Sequence, residues 1–431
     1  MSPAAGTTIY TAGRLVADPE TVIAPGAVSV SDGKVSAVGR PDDLLRRAPA
    51  GSPRVDLPGL LLLPGLVNAH THLSIPSIGD PGSLPGSGDP SFVDWLLRIL
   101  VWRRFAQREE FSRNVADAAA EALSCGTTAV GEIAGPEIGA YAALPLRGRI
   151  FAEGIGFFPE VAEEMTASVE EALVRIAGLA DATGGRLAPG VSPHTLYTVG
   201  EPLLRRLADL AESRHLPVAL HLAESPVETE FLSAGRGEIA DRLYPAVGKD
   251  VSWFRGLGMS IPEYLRRAGL LREGLLLVHA VHLSQEEIGA LAEGGARFVL
   301  CPRSNAAHGN GSPDVTGFVD GGIPFALGTD SLASVPSLSL WEEMRAAAGL
   351  YRGSRSGSAL WKEIFRAATE QGARAVALPG GRLAPGGPAD LVAVDDPGGP
   401  DDSLFARLGE RTGAEQVRLT VISGERMHER P

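Results

Sequence analysis

The sequence predicts an α/β protein: a (β/α)8 TIM barrel carrying a small β-sandwich built from both chain ends. Three observations predict it. Between residues 61 and 375, eight short apolar runs alternate with amphipathic stretches of helical period. Both ends of the chain instead alternate β-like runs with turn signals. Polar residues with metal-binding or acid–base chemistry collect where the apolar runs stop, the end of a barrel strand at which chemistry sits. With 431 residues and 44% hydrophobic content, the chain can bury a large core and form more than one domain.

In chain order, residues 7–60 read as strands: TTIYTAGRLV, then GAVSVSDGKVSAVG with an Asp-Gly turn. The barrel strands follow as LLLPGLVNAH, TTAVGEIA, GRIFAEGI, RLAPGVSPH, LPVALHLA, GLLLVHA, ARFVLCP and IPFALGTD. Between them lie helical patterns such as EPLLRRLADLAESR and SQEEIGALAEGG. The last fifty residues return to strands, ADLVAVDD and VRLTVISGERM. The expected division is therefore 1–60 with 381–431 as a composite β-sandwich domain, and 61–380 as the barrel. Two connections, 73–110 and 225–272, exceed a plain crossover and read as lids, with Trp95, Trp102 and Trp253 in them. Aromatic packing of each insert onto the barrel is the other reading.

His70 and His72 end the first barrel strand in PGLVNAHTHL. On a strand, positions i and i+2 share a face, so two imidazoles on one rigid strand end make half a site for zinc or a similar divalent ion. More polar residues end the other strands: Glu132, Glu153, His194, His221, His279 and Asp330, with Cys301-Pro302-Arg303-Ser304-Asn305 after the seventh. Nine histidines in a chain this long will sometimes pair by chance, but a common mouth for so many is hard to reach by accident.

This pattern resembles the amidohydrolase superfamily, in particular its metal-dependent aminohydrolase branch, over the whole chain, including the closing GGRLAPGGPADLVAVD. The resemblance implies His70, His72, His221 and Asp330 as metal ligands. It implies Glu224, in HLAE, as a proton-shuttling carboxylate, and His279 as the histidine beside the attacking water. Binuclear members need a carboxylated Lys or a carboxylate ending the fourth strand. The three lysines here, Lys34, Lys249 and Lys362, end no barrel strand, and the fourth strand offers His194. One divalent ion is expected, zinc first, with iron or manganese as alternatives. Such an ion lowers the pKa of water from 15.7 to roughly 7. Asp330 then takes the proton, His279 orients the water, and Glu224 protonates a ring nitrogen and later the departing ammonia.

Within that branch, FVDWLLRIL, SPHTLYTV, HLAES and CPRSN most resemble aminodeoxyfutalosine deaminases of menaquinone biosynthesis, with methylthioadenosine/S-adenosylhomocysteine deaminases close by. The resemblance implies His194, Glu224, Arg303, Ser304, Asn305 and Trp95 as substrate contacts. The relatives carry an acidic residue about nine positions beyond the first lid's Trp, where this chain reads Trp102-Arg103-Arg104. Arg303 and Arg104 can meet a distal carboxylate, or can form salt bridges with Asp94 or Glu132. His308 can reach substrate; His282 reads as structural, His215 and His428 as surface residues, and Cys301 as a packed strand residue. The expected reaction is hydrolytic deamination of an adenine nucleoside. Deamination of adenosine or another nucleobase, hydrolysis of a triazine chloride or a cyclic amide, and a non-catalytic scaffold remain alternatives.

A formal net charge of −13 without a basic run argues against nucleic acid as a partner. Cys125 and Cys301, far apart, suggest a reducing compartment. The N-terminus lacks a signal-peptide pattern and no apolar run is long enough to span a bilayer. The expectation is a soluble, cytoplasmic enzyme without a membrane partner; a homodimer stays open.

Overall fold

Eight parallel strands succeed one another in chain order around the barrel: Leu66–Thr71, Thr127–Ile133, Arg147–Gly154, Leu187–Pro193, Val218–Leu222, Leu275–His279, Arg297–Leu300 and Phe325–Leu327. The computed structural model describes residues 6–78 and 91–430. A parallel bridge between Thr71 and Asp330 joins the first strand to the end of the last, and the Asp330 N–H donates to the His70 carbonyl at 3.1 Å. Strands covered on both faces read as continuous apolar runs because no side of them meets water. Val67, Ala69, Ala129, Phe151, Ala219, Val278, Val299, Cys301 and Ala326 form one buried cluster with Ala373 and Val376 of the closing segment. His221 lies two residues past Ala219 and so shares its face, which points the imidazole into the barrel mouth.

Outside, helices cover the sheet by apolar stripes of period 3.6. In Glu201–Ser213, a proline in the first turn starts the helix, and Leu203, Leu204, Leu207, Ala208, Leu210 and Ala211 are buried. Full burial of one such Leu contributes about 1.5–3 kcal/mol.

The chain ends form a separate eight-stranded mixed sheet. It contains Thr8–Asp18, Thr21–Ile23, Gly26–Ser31, Lys34–Gly39, Arg54–Pro64, Leu391–Asp395, Val417–Ile422 and Glu425–Glu429. The sheet folds over on itself: Val35 exchanges backbone hydrogen bonds with Gly386 and Gly387 at 2.8 and 2.9 Å. Val28, Val30, Leu391, Leu419 and Val421 consequently share one apolar cluster, which makes the predicted sandwich. Its Asp32-Gly33 turn has φ of 52° and 71°, the left-handed pair that an Asp-Gly hairpin turn adopts. Arg147, opening the third barrel strand, forms a buried 2.7 Å ion pair with Asp390 before Leu391–Asp395, tying the two units together.

Both long connections carry helices. Phe92–Phe105 starts at a reciprocal cap between Ser91 and Asp94. The second insert contains Pro226–Ala234, a π-turn at Ile239–Leu243, and Ile261–Arg267. Arg242 of that π-turn pairs with Asp94 and Glu238, and Ser91 Oγ donates to Glu238 at 2.7 Å, so the inserts are clipped to each other. Among the described residues, no helix is long and apolar enough to cross a membrane.

Candidate active site

Several site residues occupy backbone conformations that L-residues rarely adopt. His279 has φ of 78°, Ala280 51°, Asp330 65° and Ala223 52°. Each costs of order 1–3 kcal/mol and persists only where surrounding contacts hold it. Those contacts are present. Ser304 and Ser334 hydroxyls donate to Asp330 Oδ2 at 2.6 and 3.0 Å, and the Ser331 N–H donates to Oδ1 at 2.8 Å. The N–H groups of Ala223 and Glu224 donate to the two oxygens of buried Glu228 at 2.9 and 2.8 Å. Across the mouth, Glu132 accepts from the Leu73 N–H at 3.0 Å, from Thr71 at 2.6 Å and from Tyr141 at 2.8 Å. That grip fixes the strand end bearing His70 and His72. Burial pushes the Glu132 carboxyl up to about 8 despite these donors.

The strand ends bring His70, His72, His221 and Asp330 into one cluster. His72 Nε2 lies 3.2 Å from His221 Nε2, and Asp330 Oδ1 lies 3.8 Å from Nε2 of both His70 and His72. Burial, then the neighbouring imidazoles, holds His70 and His72 well below the ordinary histidine pKa, so both are neutral with a lone pair to offer. His221 Nδ1 faces the His194 carbonyl at 2.9 Å; donating there leaves its Nε2 free. His70 Nε2 is buried without a hydrogen-bond partner. A tetrahedral site with bonds of 2.0–2.1 Å has edges of about 3.4 Å. The donor spacings and the orphaned nitrogen fit a divalent ion. His279 is close enough to form a second triad with His70 and His221.

Glu224 and His279 stand beside this cluster, with Oε2 and Nε2 3.7 Å apart. Burial, then Asp330 and Glu228, pushes the Glu224 carboxyl well up, while Asn310 Nδ2 donates to its Oε1 at 3.3 Å. His279 Nδ1 is 3.1 Å from the Asn305 amide, whose Oδ1 is buried without a partner. The side of the Asn305 amide facing the ring therefore decides which His279 nitrogen carries hydrogen.

A cavity of about 290 Å³ opens over the cluster and touches His72, His194, His221, Glu224, His279 and Asp330. Trp95 lines it from the first insert; its indole N–H donates to the Ala333 carbonyl at 3.3 Å and its ring lies 4.3 Å from that of His308. The outer wall is apolar, with Ile99, Leu100, Ile155, Phe157, Phe158 and Val247. His194 is held by Thr198 at 2.8 Å, and burial lowers its pKa to about 4.

Other sequence-predicted contacts do not reach this cavity. Arg303 pairs with Glu342 at 2.6 Å, stands 3.4 Å from Glu343 and donates to the Ser337 carbonyl, and it does not line the cavity. Arg104 is exposed on the insert helix. Asp94 and Glu132, suggested as arginine partners, pair with Arg242 and with Thr71, Leu73 and Tyr141 instead. Ser304 and Asn305 act on Asp330 and His279, and His282 bonds the Asn310 carbonyl at 2.6 Å. Trp253 packs near Phe157 and Phe158, while residues 79–90 of the first insert lie outside the described residues.

Sequence reading missed Glu228, Asn310, Ser334 and Tyr141. Glu228 had a signal, since Ser225-Pro-Val-Glu228 has the Ser-x-x-Glu form of a helix start whose Glu reaches back to free N–H groups. It also gave no role to Arg103 and Glu153, which form an ion pair in the cavity wall.

The family model described as the amidohydrolase family matches residues 61–427. The chain is 34% identical over 369 residues to the aminodeoxyfutalosine deaminase of Deinococcus radiodurans, covering 83% of this chain and 82% of that one. It is 31% identical over 424 residues to a 5-methylthioadenosine/S-adenosylhomocysteine deaminase of Nitratidesulfovibrio vulgaris, covering 95% and 89%. A zinc-bound adenosine deaminase structure from Xanthomonas campestris superposes with a TM-score of 0.78 at 28% identity, covering 97% and 92%. The Helicobacter pylori aminofutalosine deaminase with methylthio-coformycin shares the fold at a TM-score of 0.82 and 22% identity, covering 98% and 100%. The His/Asp cluster, the barrel and the matched sequence agree: the chain belongs to the amidohydrolase family and is a metal-dependent hydrolase of carbon–nitrogen bonds other than peptide bonds.

Proposed function

We propose that this enzyme deaminates an adenine nucleoside hydrolytically, with aminodeoxyfutalosine of menaquinone biosynthesis as its substrate. The observation that carries the reading is a buried Glu224 carboxyl, its pKa pushed well up by burial, 3.7 Å from His279 and facing a cavity whose floor is a three-His, one-Asp donor cluster. His70, His72, His221 and Asp330 would hold a divalent ion, zinc by the donor set, which would supply the Lewis acidity that makes water acidic near neutral pH.

The protein's own groups do the remaining work. Asp330, oriented by Ser304, Ser331 and Ser334, accepts a proton from the attacking water. Glu224 donates its proton to a ring nitrogen next to the C–NH2 carbon, which makes that carbon electrophilic. A C–O bond forms there; the C–N bond then breaks as the proton first taken from water leaves with the amine as ammonia, and the remaining hydroxyl proton passes to the Glu224 carboxylate as the C=O forms, restoring the acid. His279 orients the oxygen, His194 meets the ring edge, and Trp95 with the apolar wall excludes bulk water.

Methylthioadenosine or S-adenosylhomocysteine is the second reading, favoured by relatives that match 95% of this chain. Ammonia release from aminodeoxyfutalosine, adenosine, methylthioadenosine, S-adenosylhomocysteine, guanine and cytosine separates the two. The highest kcat/KM on aminodeoxyfutalosine supports the first; no ammonia from any adenine nucleoside overturns both.

A further inference from the structure

Glu153 ends the third barrel strand and Arg103 lies on the insert helix Phe92–Phe105; both line the cavity. Two guanidinium nitrogens of Arg103 donate to one oxygen, Glu153 Oε2, at 3.2 and 3.3 Å. Glu153 Oε1 accepts no hydrogen bond among the described residues. Arg103 Nε is buried without an acceptor. The Glu153 side chain is only 9% exposed. Burial alone would push its carboxyl up, but the Arg103 guanidinium together with the His194 and His221 rings more than offsets burial and holds it below the ordinary carboxylate value.

An acceptor short of a donor thus sits beside a donor short of an acceptor, in a cavity wall. A ligand carboxylate would be repelled by Glu153 and an ammonium by Arg103. A hydroxyl both donates and accepts, and two adjacent hydroxyls do so with the spread of a two-headed ion pair. The location also suits a sugar. Glu153 and His194 end neighbouring strands, joined where the His194 N–H donates to the Gly154 carbonyl at 3.1 Å. A ring held over His194 and Glu224 would carry its substituent toward Glu153.

We propose that the Arg103–Glu153 pair is a subsite for a neutral vicinal diol, selecting a nucleoside over a free base or any other hydroxyl-free ring. The proposal rests on the deaminase reading of the same cavity. It also makes the insert helix part of substrate recognition, because half of the subsite comes from it.

The test compares adenosine with 2′,3′-dideoxyadenosine on the full-length zinc-loaded enzyme. A charged hydrogen bond to a hydroxyl corresponds to about 10- to 100-fold in kcat/KM. Wild type should prefer adenosine by that factor, and Glu153→Gln should bring the ratio to within about threefold of unity while zinc content is kept. Arg103→Met, on the partly exposed helix, should shrink the ratio in the same way and carries the test if Glu153→Gln does not fold. A purely structural pair would lower both rates together and leave the ratio unchanged, which overturns the proposal. So would equal rates with wild type. If wild type releases ammonia from neither compound, calorimetric binding decides. Tighter binding of adenosine, lost in the variants, keeps the diol subsite and rejects the deaminase reading; equal or absent binding of both nucleosides rejects the subsite.

Discussion

Glu224 shows how much of a side chain's chemistry comes from its surroundings. The same carboxyl on a surface helix would be ionised at neutral pH, whereas burial, then Asp330 and Glu228, pushes its pKa well up and favours the protonated form that can donate. Glu224→Gln preserves shape and removes the proton, so kcat should fall by at least ~10² with metal content unchanged. Near-normal turnover with full metal loading would take Glu224 out of the mechanism. Glu343 is a second buried carboxyl, pushed up to about 8 by burial with Arg303 pulling it partly back. Arg303 is largely satisfied by Glu342 at 2.6 Å and stands 3.4 Å from Glu343. The folded protein holds this proton at neutral pH and the unfolded chain does not. Its stabilising contribution is therefore full below pH 4.5 and is lost as pH rises to about 8. Glu343→Gln should flatten that decline in urea unfolding followed from pH 5 to 9. Equal slopes in variant and wild type would exclude Glu343 as its source.

At the scale of elements, the two inserts are clasped to each other and both line the cavity. Arg242 links them through Asp94 and Glu238, and Trp95 anchors the first onto the Ala333 carbonyl beside the mouth. Leu100, Ile155 and Val247 remain partly exposed around the opening, apolar surface that a bound ligand's outer part can cover. A saturating coformycin-type nucleoside should slow hydrogen exchange in 92–105 and 226–246. Protection confined to the barrel strands would make the inserts passive packing. Their existence was legible from length alone, since connections of this size are rarely plain loops. Their clasp was not, because Asp94 and Arg242 meet across 148 residues of chain.

At the scale of the whole molecule, a metal held by residues from separate strand ends should couple its binding to the fold. The enzyme should hold one equivalent of divalent metal per chain, and chelation should lower its Tm, since the ion binds only the folded cluster. Two equivalents in active enzyme would contradict the four-ligand site. Asp390→Ala should cost about 3–5 kcal/mol, because it leaves Arg147 buried and uncompensated between barrel and terminal sheet. A loss below 1 kcal/mol in denaturant unfolding would show that the apolar contacts of the two units suffice without the pair.

By itself, the sequence determined the architecture and the chemical core. Alternation of apolar runs with helical periods is local information, as is a histidine pair at i and i+2 on a strand, so the barrel, the terminal sheet and the strand-end positions of His70, His72, His194, His221, His279 and Asp330 were legible; the roles of these residues, and Glu224 altogether, came only from the family resemblance. Only the tertiary structure decided which polar groups face the cavity and which are consumed by one another. Arg303 was read as a substrate contact and is taken up by Glu342 and Glu343, while Ser304 and Asn305 orient Asp330 and His279. Arg103 and Glu153, fifty residues apart, meet in the cavity wall. The reason is physical: a buried charge or donor must find its partner in space, and the nearest partner usually lies on another strand or insert, at a separation that no local pattern encodes.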